Sequence, residues 1–256
     1  MFGNRFNSFV ASIPPVTKNL VIINLIIWLG EALFSRFGDF VVNHLGLHFV
    51  GASDFNPVQI ITYLFIHADN TPWHVLFNMF TLVMFGAILE HVWGSKRFFI
   101  FYFICGIGAA FVQEIVWALT WMNDYIDALA MQNPGFTKET IRQIVANEQA
   151  AGSPDFLSNV AILKNSLVTI GASGAVFGVI MGFAMVFPDR PMYLMFIPIP
   201  IKAKYMMIGY GVLEFFLGVA SVDMVAHFAH LGGMIFGLIL LLYWKKKGTL
   251  YGGRFY

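Results

Sequence analysis

The sequence predicts an all-α membrane protein whose chain crosses the bilayer six times. Of its 256 residues, 58% are hydrophobic and 11% charged, against roughly half and a quarter in an average soluble domain. The net charge of +1 offers no basic surface to nucleic acid, so none is expected as a partner. Apolar segments of spanning length lie at about 19–35, 73–91, 97–119, 168–187, 205–222 and 225–244.

The first span contains LVIINLIIWLGEALF, and no small-residue cleavage signature follows it. We therefore expect a retained helix and not a signal peptide. The region from Phe40 to Ile66 is also apolar, but Gly, Asn, Asp and Pro interrupt it, which predicts a loop lying partly in the membrane interface. Cys105 is the only cysteine, which excludes an internal disulfide and a cysteine-based metal site.

The distribution of lysine and arginine predicts the orientation, because segments rich in them tend to stay cytoplasmic. With the N-terminus inside, eleven of these residues fall on the inner side and four on the outer side. The inner ones are Arg5, Lys18, Lys96, Arg97, Arg190, Lys202, Lys204, Lys245, Lys246, Lys247 and Arg254. The outer ones are Arg36, Lys138, Arg142 and Lys164. Residues 1–18 and 245–256 are thus predicted to be cytoplasmic.

A polar stretch at 120–167 separates the third and fourth spans and is predicted to be an external insert. Within it, TKETIRQIVANEQAAG has helical character, and Thr137 could cap that helix. The aromatic residues before it, Trp117, Trp121 and Tyr125, suit a membrane boundary. The insert is either a solvated decoration or a surface that faces a substrate or a partner. The whole chain, 1–256, is expected to be one membrane domain.

Four polar residues inside the spans carry the functional prediction, because such residues usually face the interior of a helix bundle. Asn78, Ser173 and His230 each lie roughly 8 Å below the outer surface, counted from the expected helix ends. His74 precedes Asn78 by four residues and shares its helix face. Each also has a structural interpretation, as a packing serine or as a hydrogen bond between helices.

Small residues next to Ser173 and His230 favour a catalytic role for these two residues over a role in packing alone. Ser173 lies in a row with Gly174, Gly178 and Gly182, and His230 leads Gly233 and Gly237. Two such faces can pack closely together and would bring the hydroxyl and the imidazole within hydrogen-bond reach.

A serine becomes nucleophilic when a neighbouring base takes its proton, and histidine suits that role near neutral pH. No Asp or Glu accompanies His230 at that depth on the same three helices, which predicts a Ser173–His230 dyad oriented by packing, with Phe177 as the packing surface. Asn78, His74 and the Ser173 backbone amide are the candidate donors to an oxyanion. His227 is expected to lie too shallow to act as the base.

The motifs GASGAVFG, HVLFN and AHLGGMIFG resemble, in this order, those of the rhomboid intramembrane serine proteases. The stretches TYLFIHADNTPWH, EHVWGSKRFF and IPIPIKAKY fit as well. The resemblance implies that Ser173 is the nucleophile and His230 the general base, and that His74 and Asn78 line the oxyanion site. Gly171 and Gly174 are expected to be supporting residues of the site, together with Phe177.

The resemblance also implies a cavity open to the outer side of the cytoplasmic membrane, and membrane-spanning substrates cut near their outer ends. It implies no metal and no cofactor. Two features depart from the family pattern: the long insert, and Phe177 where some members carry tyrosine.

Two other functions remain open at this point. A protein of the same fold could hold membrane clients without cutting them. A transporter could use Glu114, Glu214 and the histidines as a proton relay, although the two halves show no repeat symmetry. Neither glutamate has an evident partner in the sequence.

Overall fold

The computed structural model describes residues 10–67, 72–194, 197–220 and 226–250 and is predominantly helical. In chain order the helices are α1 (Pro15–Leu33), α2 (Ser35–Leu45), α3 (Gln59–Thr62), α4 (Pro72–Thr81), α5 (Ala87–Trp93), α6 (Ser95–Gln132), α7 (Lys138–Ala151), α8 (Pro154–Ser166), α9 (Ser173–Val186), α10 (Ala203–Ala220) and α11 (His227–Lys246). A 3₁₀ turn, Tyr63–Phe65, follows α3, and a π-helical segment, Leu82–Gly86, joins α4 to α5. Two small antiparallel pairs join β1 (Leu47–His48) to β2 (Val168–Thr169) and β3 (Pro191–Leu194) to β4 (Ile197–Lys202).

Among the described residues, five helical segments are long and apolar enough to cross a bilayer. They are Pro15–Leu33, Pro72–Trp93, Ser95–Gln132, Ala203–Ala220 and His227–Lys246. The apolar helix α9 has 14 residues and is therefore about 21 Å long. The prediction of an all-α polytopic membrane protein is confirmed.

The predicted start of the fourth span, at residue 168, is wrong. Val168 and Thr169 pair as β2 with β1, and the helix begins only at Ser173. β-branched residues such as these suit an extended strand at least as well as a helix. The count of helix turns that gave Ser173 a depth of 8 Å therefore does not hold, because Ser173 is the first residue of its helix.

The region from Phe40 to Ile66, predicted as a loop, contains regular structure. Helix α2 continues into it as far as Leu45, and β1, α3 and the 3₁₀ turn follow. The buried side chain of Gln59 organises the segment between β1 and α3, because its Oε1 accepts from the amides of His48 and Asn56.

The stretch 120–167 is built as helices around a small core of its own. Helix α6 runs on to Gln132, and α7 and α8 fold back against its extension. The core residues are Tyr125, Ile126, Ile141, Val145, Phe156 and Val160. The predicted cap is confirmed, since Thr137 Oγ1 accepts from the amide of Thr140 at 3.1 Å. The predicted single helix ends at Ala151, and Ser153 then caps α8.

The centre of the bundle is formed by α6, α9 and α11, which pack at very short range. The predicted contact between two glycine faces is confirmed. A Cβ placed on Gly233 would collide with the backbone carbonyl of Gly174, and one on Gly237 would lie 3.4 Å from the carbonyl oxygen of Gly178. From α6, the side chain of Cys105 fills the space beside Gly178. The backbones of the three helices are therefore in close contact next to Ser173 and His230.

Candidate active site

Ser173 and His230 come together where α9 and α11 begin. Their side chains are 2.8 Å apart, measured from Ser173 Oγ to His230 Nε2. His230 is 7% exposed and Ser173 is half-buried, so the histidine is the more enclosed of the two residues. The close approach of Gly174 to Gly233 sets this spacing, since a larger residue at 233 would collide with the Gly174 carbonyl and push the two helices apart. A larger residue at 174 would instead collide with Ala109 of α6.

The turn before Ser173 has a backbone that requires glycine. Gly171 has a φ of +119°, a region that residues with a Cβ rarely adopt, and its amide donates to the Tyr63 carbonyl at 2.9 Å. Ser173 then opens α9, and the first four amides of an α-helix have no partner within the helix. The Ser173 amide therefore points away from α9 at its positive end, where a negative charge is stabilised.

The imidazole of His230 is held on its face by Phe177. The two rings are parallel within 8° and their centroids are 4.2 Å apart. Phe177 lies one turn after Ser173 on α9, and its ring also makes an edge-on contact with Tyr210 of α10. The stacked ring restricts rotation of the imidazole away from Ser173.

His74 and Asn78 are both on α4, and His74 lies beside the turn that precedes Ser173. A Cβ on Gly171 would be 3.0 Å from His74 Nε2 and 3.8 Å from Ser173 Oγ, so the histidine and the serine flank one spot. Asn78 is buried, and its Nδ2 donates to the His74 carbonyl at 2.9 Å, with a second N–H left on the same nitrogen.

His67 packs its ring edge-on against His74, with the centroids 5.0 Å apart. Burial lowers the pKa of His67 to about 3, which keeps its ring neutral at physiological pH. His67 is therefore a neutral neighbour of His74.

Glu214 is the residue of this site that sequence reasoning missed. Its carboxylate reaches the site from α10, and Oε2 lies 2.9 Å from His230 Nδ1 and 2.7 Å from His227 Nδ1. The sequence-based expectation concerned carboxylates only on the three helices of Asn78, Ser173 and His230, whereas Glu214 lies on α10. The expectation that Glu214 lacks an evident partner is wrong. The sequence did contain an indication, because a carboxylate inside an apolar helix is costly unless it is paired.

The other glutamate left without a partner, Glu114 of α6, also has one. Its Oε2 accepts from the amide of Val50 at 2.8 Å, which ties α6 to the loop after β1. Glu114 does not belong to the cluster around Ser173.

Glu214, His227 and His230 each offer one ligand atom, and these atoms lie within 4.8 Å of one another. Two ligands of a tetrahedral zinc ion, bound at 2.0–2.1 Å, lie about 3.3 Å apart. The nitrogen to oxygen distances of 2.7 and 2.9 Å are shorter and match N–H···O hydrogen bonds. The geometry therefore fits hydrogen bonding better than a shared metal ion.

A half-buried serine in hydrogen-bond contact with a buried histidine, within a membrane bundle, is typical of an intramembrane serine hydrolase. The sequence profile of the Rhomboid domain matches residues 54–122 and 147–247, which is more than half of the chain. The chain belongs to the rhomboid family. The match is interrupted at 123–146, inside the stretch predicted as an insert. No curated protein matches the chain closely enough to serve as a relative.

Proposed function

We propose that this protein is an active intramembrane serine endopeptidase that uses Ser173 and His230 to hydrolyse peptide bonds of transmembrane protein substrates. The observation that carries the proposal is the 2.8 Å contact between Ser173 Oγ and His230 Nε2. A hydroxyl at hydrogen-bond distance from an imidazole nitrogen is the arrangement that nucleophilic catalysis requires. Family membership makes the same chemistry the expectation for this chain.

In the first half of the reaction, Ser173 Oγ attacks the scissile carbonyl carbon and its proton passes to His230 Nε2. The tetrahedral oxyanion is stabilised by the Ser173 amide and by the side chains of His74 and Asn78. His230 then gives the proton to the leaving amine, and an acyl-enzyme remains on Ser173. Water attacks this ester with His230 again as the base, which releases the new carboxyl terminus and restores the serine.

The substrates of such a site are membrane-spanning segments, because the nucleophile belongs to a helix that lies within the bundle. We place the protein in the cytoplasmic membrane with both termini inside and the active site open to the external side. Residues 120–167 then lie outside, and no nucleic acid, metal or cofactor takes part. A reporter fused after Tyr256 should be cytoplasmic, and one inserted near Gly152 external.

The direct test is cleavage of a transmembrane substrate by the protein reconstituted in lipid vesicles. Ser173→Ala should leave a folded protein without measurable cleavage, because alanine fits beside the glycines and removes only the nucleophile. Ser166→Ala is the matched control, since its exposed hydroxyl bonds to the Leu163 carbonyl at the end of α8, and it should cleave at the wild-type rate. Cleavage by Ser173→Ala at that same rate would overturn the proposal.

A further inference from the structure

Glu214 is a buried carboxylate in an apolar helix, and its surroundings show what it does there. It is 7% exposed, and a charged group at that depth is stable only when it accepts hydrogen bonds. Its Oε2 has two donors, Nδ1 of His227 and Nδ1 of His230, on two successive turns of α11. The single oxygen is therefore shared by two imidazoles, of which one contacts Ser173.

This contact fixes the tautomer of His230. An ionised carboxylate oxygen accepts hydrogen bonds and cannot donate them, so His230 Nδ1 carries the proton. Nε2 is then unprotonated and presents its lone pair to Ser173 Oγ. Without Glu214 the ring could place its proton on Nε2, where it could not accept the serine proton.

Hydrogen bonds thus connect the Glu214 carboxylate on α10 to the His230 imidazole on α11, and that imidazole to the Ser173 hydroxyl on α9. We propose that Glu214 is the positioning residue of His230, so that the chain uses a Ser173–His230–Glu214 arrangement in place of a dyad. This inference rests on the proposed function. Glu214 acts through His230 and does not contact the substrate. When Ser173 loses its proton to Nε2, the imidazolium that forms faces the Glu214 carboxylate, and the carboxylate stays unprotonated throughout.

His227 has a supporting part in this arrangement. Its Nδ1 is the second donor to Glu214 Oε2, at 2.7 Å, and its ring lies edge-on to that of His230. His227 lies one helix turn before His230, and its hydrogen bond helps to keep Glu214 Oε2 within reach of His230 Nδ1.

The test compares Glu214→Ala, Glu214→Gln and Glu214→Asp in vesicles, with kcat and KM measured separately. In serine protease triads the loss of the carboxylate lowers kcat by about 10⁴-fold. We expect Glu214→Ala and Glu214→Gln to lower kcat by between about 10²- and 10⁴-fold and to leave KM within about threefold, since neither touches the substrate. Glu214→Asp keeps the charge one methylene further away and should recover part of the loss.

Glu114→Gln is the matched control, because it changes a half-buried carboxylate of another helix whose described hydrogen bond is to the Val50 amide and not to the Ser173 cluster. It should keep the wild-type kcat. Glu214→Gln changes neither the size nor the shape of the side chain, and its thermal unfolding is compared with that of the wild type. A folded Glu214→Gln protein with a kcat within threefold of wild type would overturn the proposal.

A second readout separates positioning from mere structural support. Nitrogen-15 NMR of the histidine side chains, with His230 assigned by the missing signal of His230→Ala, should show the Nδ1–H tautomer in the wild type. In Glu214→Gln that preference should be lost. An Nε2–H tautomer in the wild type would contradict the proposal, as would loss of cleavage on addition of a metal chelator. If Ser173→Ala still cleaves, the proposed function itself fails; if Ser173→Ala is inactive and Glu214→Gln is fully active, only the role of Glu214 fails.

Discussion

Helices α9 and α10 both contact α11, but the two contacts are built differently. The α9–α11 contact is made by glycines, with the Gly233 α-carbon against the Gly174 carbonyl. Helix α10 has Ile208, Phe216 and Val219 more than 60% exposed, and an apolar cavity of about 630 Å³ lies between it and the other two helices. The nucleophile and the base are therefore fixed by backbone contact, whereas the Glu214 carboxylate of the more open helix α10 is held by two hydrogen bonds that α11 donates.

The difference predicts where the site tolerates change. A substitution in the α9–α11 contact should separate Ser173 from His230 and destabilise the protein. The same substitution on the open part of α10 should do neither.

The largest effect is expected for Gly233→Ala. The added methyl overlaps the Gly174 carbonyl, and overpacking of this kind costs about 1–3 kcal/mol or more in stability. Cleavage should be lost, because the backbones must move apart. Gly209→Ala is the matched control on α10, since a Cβ there meets no atom of the described residues within 4 Å. Thermal unfolding and cleavage rates are measured for both variants. Equal unfolding temperatures and equal cleavage rates would contradict the claim that the α9–α11 contact is less tolerant of substitution than α10.

Asn78→Ala tests the oxyanion donor on α4, outside the contacts of α9 and α10 with α11. It should lower cleavage by about 10²- to 10³-fold through loss of an oxyanion donor, while Ser173 still reacts slowly with a serine-directed phosphonate. Asn24→Ala is the control, because Asn24 is also buried and makes the same bond to the carbonyl four residues earlier, on α1. A similar loss of cleavage in both variants would show that Asn78 has only a structural role in its helix and does not bind the oxyanion.

A smaller effect is expected for His227→Ala, which distinguishes the two histidines of VAHFAHLGG. His227 donates to Glu214 but has no described contact with Ser173, so its loss removes one of two donors to the carboxylate. The cleavage rate should fall by less than about tenfold, whereas His230→Ala should be inactive. The opposite ranking, measured in the same vesicles, would mean that the base is wrongly assigned.

The smallest effect is expected in the stretch 120–167, which has its own core. Thr137→Ala removes the cap of α7 and should cost that helix about 1 kcal/mol. Hydrogen exchange should become faster in α7 and stay unchanged in α9 and α11. Cleavage should remain at the wild-type rate, and a strong decrease would instead favour a substrate-facing role for the insert.

Hydropathy and motif spacing predicted the helical bundle and the glycine contact between α9 and α11, because both depend on local patterns. The start of α9 was not predictable in this way. Leu167, Val168 and Ile170 make this stretch apolar enough for a membrane helix, and the strand that pairs with it, Leu47–His48, is about 120 residues away in the sequence.

The contact of Glu214 with His230 could not be predicted for a related reason. Depth counted from helix ends gives no information on how α10 is rotated about its axis, and only that rotation turns Glu214 toward α11. The polarity of Glu214 indicated that it has a partner, but not which one.

The central claim is that His230 activates Ser173, and the most direct measurement is the site and rate of labelling by a serine-directed phosphonate. Mass spectrometry of the labelled wild-type protein should find one adduct, on Ser173. The adduct should be absent from Ser173→Ala and from His230→Ala, since the reaction needs both the hydroxyl and the base. An adduct on another residue, or labelling of His230→Ala at the wild-type rate, would contradict the account.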